Sequence, residues 1–157
     1  MLGLKKYDIL NGNITFQQYI DLREALQKYS QDNNLANLYD GIVKALNKGY
    51  EIKDYASIEL MQYVEDVITD VLHWVKIENE TLHYSPTQTE KNAGFEKYAQ
   101  EVGWMGIVVS LAKEFATRPE VILERWYWKE VYMVLYTDNK KYQYEEKLQK
   151  QIKLRYR

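Results

Sequence analysis

Apolar residues recur at three- and four-residue steps through most of this 157-residue chain, and this spacing constrains the fold more than any other feature. Steps of three and four place side chains on one face of an α-helix, whereas the side chains of a strand alternate every two residues. The clearest stripe, between residues 56 and 75, consists of Ile58, Met61, Val64, Ile68, Val71, Leu72 and Val75. With only 7 Gly and 2 Pro, a turn-rich all-β fold is excluded. The sequence therefore predicts an all-α protein, a multi-helix orthogonal bundle of about six helices.

Local signals divide the first half of the chain into helices. Thr15 and Gln18 have the spacing of a capping box, and apolar positions at residues 16–29 predict the helix that follows. A second apolar face at residues 35–46 follows a short polar break, so the two helices are expected to form an antiparallel hairpin. An Asn-Gly pair at residues 11–12 is typical of two-residue β-turns. It leaves two alternatives open, a short N-terminal hairpin or a plain turn into the first helix.

The longest polar stretch, residues 77–94, interrupts the helical pattern. Eighteen residues without apolar rhythm are unusual inside a small domain and predict a functional or mobile loop, or a hinge. We therefore divide the chain into an N-terminal helical subdomain at residues 1–76, a polar loop or hinge at residues 77–94, and a C-terminal helical subdomain at residues 95–157 that ends in a long helix. Within the last of these, Gly103 and Gly106 can kink the helix that contains them or allow a close crossing of another helix.

Charge is distributed unevenly although 21 Lys plus Arg nearly balance 23 Asp plus Glu. Residues 51–80, on and around the third predicted helix, hold eight acids and two bases, a local charge of −6. Residues 138–157 hold seven bases and three acids, a local charge of +4. Opposite charges of this kind can pair within one molecule or across a homo-oligomer, and the sequence leaves that choice open.

Composition and the absence of motifs exclude several classes of chemistry. The chain has no Cys, which removes disulfide scaffolds, zinc fingers, iron–sulfur ligation and cysteine nucleophiles. It also lacks a Gly-rich phosphate loop, an HExxH pair and an EF-hand loop. No apolar run approaches the roughly 18 residues that span a bilayer, and the first residues lack the apolar core of a signal peptide. We therefore expect a cytoplasmic protein that is not an enzyme, needs no cofactor and makes no membrane contact.

Two His residues were weighed as metal ligands. Asp70 and Glu80 each precede a His, His73 and His83, by three residues, the local unit of helix-bundle di-metal sites. Such sites also need inward-facing carboxylates from other helices. Because the acids near His73 are expected to face water and His83 falls in the polar stretch, the sequence predicts no metal site.

Aromatic side chains are abundant and crowd together after residue 126. The chain has 15 Tyr, 4 Trp and 3 Phe. On a continuous helix Trp126 and Trp128 would point about 200° apart, so either a break separates two helices there or one ring is exposed. Large aromatics that cannot all fit into a core are typical anchors of protein interfaces. Against the alternative of core packing, we predict a set of partner-binding residues, namely Trp126, Tyr127, Trp128, Tyr132 and Tyr136.

Residues 111–125 have the arrangement of a helix-turn-helix opening, an apolar helix followed by a capped second helix. A recognition helix presents basic or amide side chains to base edges. Here Glu120 and Glu124 offset Arg118 and Arg125, and the whole chain carries a charge of −2. Nucleic-acid binding is therefore not favoured, although a DNA-binding regulator that uses residues 111–125 stays an alternative from a different class.

A family resemblance lies in residues 103–150, about a third of the chain. Its motifs are Val109-Ser-Leu-Ala-Lys-Glu-Phe115, then Thr117-Arg-Pro-Glu-Val-Ile-Leu123, then Trp126-Tyr-Trp-Lys-Glu-Val131, followed by a helix rich in Tyr, Glu and Lys. This arrangement resembles the helical proteins of tailed-phage morphogenesis clusters, especially tail assembly chaperones. The resemblance implies a non-enzymatic protein of the host cytoplasm, without catalytic residues, that coats a tape-measure-like partner while the tail tube polymerises. A virion structural or connector subunit of the head–tail or neck region would fit the same features.

Overall fold

The computed structural model describes residues 3–82 and 87–156, and these ranges form seven α-helices and no strand. In chain order the helices are α1 (Phe16–Asp32), α2 (Leu35–Leu46), α3 (Ile58–Thr81), α4 (Gln88–Asn92), α5 (Phe95–Glu114), α6 (Pro119–Arg125) and α7 (Trp128–Arg155). The all-α, multi-helix prediction is confirmed. Its physical basis is the apolar spacing. Helix α3 buries five residues at steps of three and four, Leu60, Val64, Val67, Val71 and Trp74, whereas Ile58, Met61 and Leu72 of the predicted stripe are exposed.

The α1–α2 hairpin forms as its caps predict. The Thr15 hydroxyl accepts a hydrogen bond from the Gln18 backbone N–H (3.2 Å), while Gln18 Oε1 accepts one from the Thr15 N–H (2.9 Å). At the other end Asn33 takes a left-handed conformation with φ of 52° and donates its N–H to the Tyr29 carbonyl. The two helices then pack closely, since a Cβ at Gly41 would lie 2.9 Å from the Cβ of Ala25.

The predicted polar loop at residues 77–94 is wrong over much of its length. Helix α3 continues to Thr81, and α4 occupies residues 88–92; residues 83–86 of the predicted loop lie outside the described residues. The extension forms because its polar side chains make contacts rather than face water throughout. Glu78 pairs with Arg23 of α1, and the Thr81 hydroxyl lies 2.8 Å from the Tyr132 hydroxyl of α7.

Helix α5 bends at Gly103, whose φ of 51° and ψ of −139° are non-helical. Only glycine adopts this backbone conformation readily, so one of the two glycines predicted to kink this helix does so. Residues 96–101 before the bend are exposed, whereas Val108, Leu111 and Ala112 after it are buried.

No hairpin forms at the N-terminus. The Asn-Gly pair instead makes a turn into α1, the second alternative, with Gly12 at a φ of 71° and its N–H bonded to the Ile9 carbonyl (2.8 Å). The turn packs against the start of α7, where the carbonyls of Ile14 and Gly12 accept the N–H groups of Trp128 (2.7 Å) and Lys129 (3.2 Å). The first N–H groups of a helix have no acceptor inside the helix. For α7, the carbonyls of this turn are the acceptors.

The buried side chains of both predicted subdomains lie in one core cluster. Phe16 and Tyr19 of α1 and Trp74 of α3 meet Trp128 of α7 there. The boundary drawn between the subdomains stays a prediction, but their buried residues share this one cluster.

Candidate protein-interaction surface

Trp128 lies at the centre of the core and is not part of the molecular surface. Its ring stacks on Tyr19 at a centroid distance of 3.9 Å and an interplanar angle of 11°, and on Phe16 at 5.8 Å. Trp74 and Trp104 meet it edge-on at 5.8 and 6.4 Å. With 0% of its surface exposed, Trp128 cannot contact a partner, and that part of the predicted set is wrong.

The physical reason is a break between α6 and α7. Trp126 and Tyr127 have extended backbone, with ψ of 135° and 151°, so the two Trp rings do not belong to one continuous helix. Trp128 turns into the core at the first position of α7, while Trp126 is half-buried against Phe115 at 4.8 Å. Of the two alternatives raised by the 200° spacing, the break is confirmed.

The remaining predicted contacts are partly accessible. Tyr132 is half-buried, with its ring edge-on to Trp74 at 5.2 Å. Tyr136 is half-buried 6.0 Å from Tyr132. Tyr127 is 45% exposed. The accessible part of the predicted set is therefore Tyr127 together with the outer edges of Trp126, Tyr132 and Tyr136.

These side chains belong to a mixed aromatic and basic surface along the first half of α7. It begins at Tyr127, just before the helix, and continues on α7 through Lys129, Met133, Tyr136 and Lys140, which follow one another at steps of three and four. Met133 is 59% exposed. The ammonium groups of Lys129 and Lys140 lie over the rings of Tyr127 and Tyr136 at 5.6 and 5.5 Å, within cation–π range. We call these five residues the α7 strip.

A polar cluster joins α1 to the extended end of α3. The Arg23 guanidinium donates to Glu78 Oε2 and to the Tyr19 hydroxyl (3.0 Å), and the Tyr19 hydroxyl donates to the same carboxylate oxygen (2.8 Å). Arg23 also lies over the Trp104 ring at 5.5 Å. Burial raises the pKa of the Tyr19 hydroxyl far above its ordinary value, so it stays protonated and acts as a donor. Glu78 Oε2 accepts from both Tyr19 and Arg23, and the cluster thereby connects α1 to α3.

The pH dependence of stability provides a test of this cluster. Burial raises the pKa of Glu78 above its ordinary 4.5, against the opposing attraction of Arg23. Above pH 4.5 the folded state then binds more protons than the unfolded state at this residue, so its contribution to stability falls as the pH rises through the folded pKa. As the pH rises from 4.5 through the folded pKa, we therefore expect wild type to lose stability relative to Glu78→Gln. Chemical denaturation at a series of pH values measures it.

Glu80→Gln is the matched control because Glu80 lies two residues away, is exposed and pairs only loosely with Lys76 at 3.9 Å. Its difference from wild type should stay flat over the same range. A shift toward the wild type in the Glu78→Gln series would contradict the expectation and would mean that the attraction of Arg23 outweighs burial.

An acidic groove lies along the first half of α3, between this helix and residues 3–9. It has a volume of about 820 Å³. Its apolar lining includes Tyr7, Ile9, Tyr63 and Val67, and its acidic edge includes Asp66 and Asp70. Partial burial and the neighbouring Asp66 raise the pKa of Asp70, a sign of carboxylates close together. The groove wall is fixed by hydrogen bonds, with the Tyr63 hydroxyl donating to the Lys5 carbonyl (2.9 Å) and Asn47 Oδ1 accepting the Lys5 N–H (2.7 Å).

Other candidate chemistries find little support in the described part of the chain. No group of three or more His, Asp or Glu in residues 3–82 and 87–156 is placed to hold a metal ion; His83 lies outside these ranges. Helix α6, the recognition element of the DNA-binding alternative, has seven residues, and Glu120 and Glu124 are exposed beside Arg118 and Arg125. That surface has no net positive charge to attract phosphates.

None of the helices in the described ranges is long and apolar enough to cross a membrane.

Comparison with known proteins adds no assignment: no protein family, curated protein or solved structure matches this chain. The resemblance to tail assembly chaperones thus depends on residues 103–150, which correspond to the second half of α5, α6 and most of α7.

Proposed function

We propose that this chain is a non-enzymatic protein-interaction protein of the host cytoplasm that serves as a tail assembly chaperone of a tailed phage. The observation that supports it best is the α7 strip. It combines the exposed Tyr127 and Met133 and the half-buried Tyr136 with two Lys, within the segment that resembles these chaperones. Aromatic and Met side chains at interface centres supply contact area, and flanking charges select the partner.

The strip fits an elongated helical partner better than a compact one. Its residues extend over about 20 Å along α7, since each helical residue adds 1.5 Å. A partner helix that lies along α7 could cover Met133 and Tyr136 with apolar residues and place acids near Lys129 and Lys140. A tape-measure-like protein, long and helical, has such a shape, and its apolar face would be shielded while the tube polymerises.

Binding to a long helical, tape-measure-like protein tests the proposal, and the genes that neighbour this one are the place to search for that protein. The two proteins are co-expressed, and the affinity of the purified pair is measured by calorimetry with wild type and with Tyr127→Ala. Truncation of an aromatic hot spot costs at least about 2 kcal/mol, so the dissociation constant should rise roughly 30-fold. Because Tyr127 is exposed, the melting temperature should change little.

Tyr55→Ala is the matched control, since Tyr55 is 42% exposed and lies on the loop between α2 and α3. It should bind as wild type does. Equal affinity in all three proteins, or no complex with wild type, would overturn the proposal. Retention of the protein in purified particles would instead support a virion structural or connector subunit, and tight DNA binding at moderate salt would support the regulator.

A further inference from the structure

The last part of α7 presents an exposed apolar ridge among basic side chains. Four residues at successive four-residue steps, each between 42% and 88% exposed, form it: Tyr144, Leu148, Ile152 and Tyr156. Residues 140–156 hold six bases and two acids, a charge of +4. Side chains at four-residue steps form one of the two ridges by which helices pack into grooves. We call these four residues the basic ridge.

The acidic groove on α3 is complementary to the basic ridge in charge, surface and length. Residues Ile58–Asp70 of α3 form one wall of the groove, whose lining holds three acids, Glu59, Asp66 and Asp70, and one base, Lys6, a charge of −2. Ile58 at its end is 83% exposed, whereas Ile9 and Val67 of the same lining are buried. Both the ridge, Tyr144–Tyr156, and this part of α3 contain 13 residues, which corresponds to about 20 Å of helix.

The two surfaces do not cover each other within one molecule. The ridge side chains are exposed, and the groove of the same chain stays open. The opposite charges could pair within one molecule or between copies. Because the two surfaces do not meet in the folded chain, only the pairing between copies remains.

We propose that the basic ridge of one copy docks into the acidic groove of a second copy of this chain. Apolar ridge side chains cover the exposed Ile58 and the half-buried Tyr7 and Tyr63. The bases on the same helix face, Lys141 and Arg155, lie against Asp66 and Asp70. Since each copy carries one ridge and one groove, the contact closes reciprocally into a dimer or continues from copy to copy. Of the α7 strip, only Lys140 contributes to this inference, through the charge of residues 140–156. The inference does not depend on the proposed function.

Charge reversal on each side, followed by mixing, tests the proposal. The ridge variant is Lys141→Glu with Arg155→Glu, and the groove variant is Asp66→Lys with Asp70→Lys. Sedimentation velocity measures the mass of each protein at about 0.1 M and about 1 M salt, where the Debye length falls from about 10 Å to about 3 Å. We expect wild type to associate at low salt, association to weaken at high salt, and each variant alone to associate at least tenfold more weakly.

Mixing the two variants should restore association, because the reversed ridge then faces the reversed groove. Lys97→Glu with Lys113→Glu is the control, as it makes the same charge change at two exposed positions on α5 and should associate as wild type does. Tyr127→Ala should also leave self-association unchanged, which separates this result from a failure of the proposed function. A monomeric wild type, unchanged association in both variants, or a mixture that stays monomeric would overturn the proposal.

Discussion

Trp128→Ala is expected to lower the free energy of unfolding by about 4 kcal/mol, within the usual range for truncating a buried Trp. For a chain of this length that corresponds to a fall in melting temperature of roughly 8 to 16 °C. The loss arises because the ring fills the space between Tyr19, Phe16 and Trp74, and this rigid aromatic environment cannot close over the cavity. Calorimetry or chemical denaturation measures the effect.

Two further substitutions make the Trp128 result specific. Tyr127→Ala changes the preceding aromatic residue, which is exposed, and should alter stability by less than about 1 kcal/mol. Trp128→Phe should be milder than alanine, because it keeps an aromatic ring and removes an indole N–H that is buried without a partner among the described residues. Near-normal stability of Trp128→Ala together with weaker partner binding would contradict the burial of this ring.

Gly12→Ala is expected to lower the free energy of unfolding by about 3 kcal/mol through two separate effects. The residue has a φ of 71°, a conformation that costs a non-glycine residue roughly 1 kcal/mol. In addition, the new Cβ would lie 2.8 Å from the Lys129 Cβ, 3.0 Å from the Trp74 ring and 3.1 Å from the Lys129 backbone nitrogen. Since these neighbours belong to the core and to the start of α7, relief of the overlap would disturb both.

Gly49→Ala isolates the backbone effect. Gly49 has a φ of 84°, but a Cβ there would meet nothing within 4 Å, so only the conformational cost of about 1 kcal/mol should appear. The difference between the two variants then measures how tightly the N-terminal turn packs against α7. Equal losses in Gly12→Ala and Gly49→Ala would mean that the turn can move away without penalty.

Features that depend on neighbouring residues along the chain could be predicted from the sequence. The capping box of Thr15 and Gln18 formed as expected because both partners lie within one turn. The break at Trp126 and Tyr127 was one of two alternatives, since the 200° separation depends only on helix geometry. The bend at Gly103 could likewise be foreseen, because glycine is tolerated where other residues are strained.

Features that depend on residues distant in the sequence could not be predicted. Trp128 was assigned to the surface because nothing near it in the sequence shows that Phe16 and Tyr19 enclose it. Glu78 falls in the predicted polar loop, although Arg23 pairs with it across 55 positions of the chain. For the same reason the predicted third helix ended too early. The last residues of α3 are polar, and the sequence does not show their partners on other helices.

The position of Trp128 in the chain also determines when the core can form during synthesis. The ring that joins α1, α3 and α5 is supplied by the first residue of the last helix, so the 127 residues made earlier emerge without it. The core is therefore complete only when contacts form between residues about 110 positions apart. Until then Phe16 and Tyr19 stay uncovered on the nascent chain, and incompletely folded chains of this kind are prone to aggregate. Synthesis of the chain through Trp128, rather than growth of the early helices, is thus the event that completes the core.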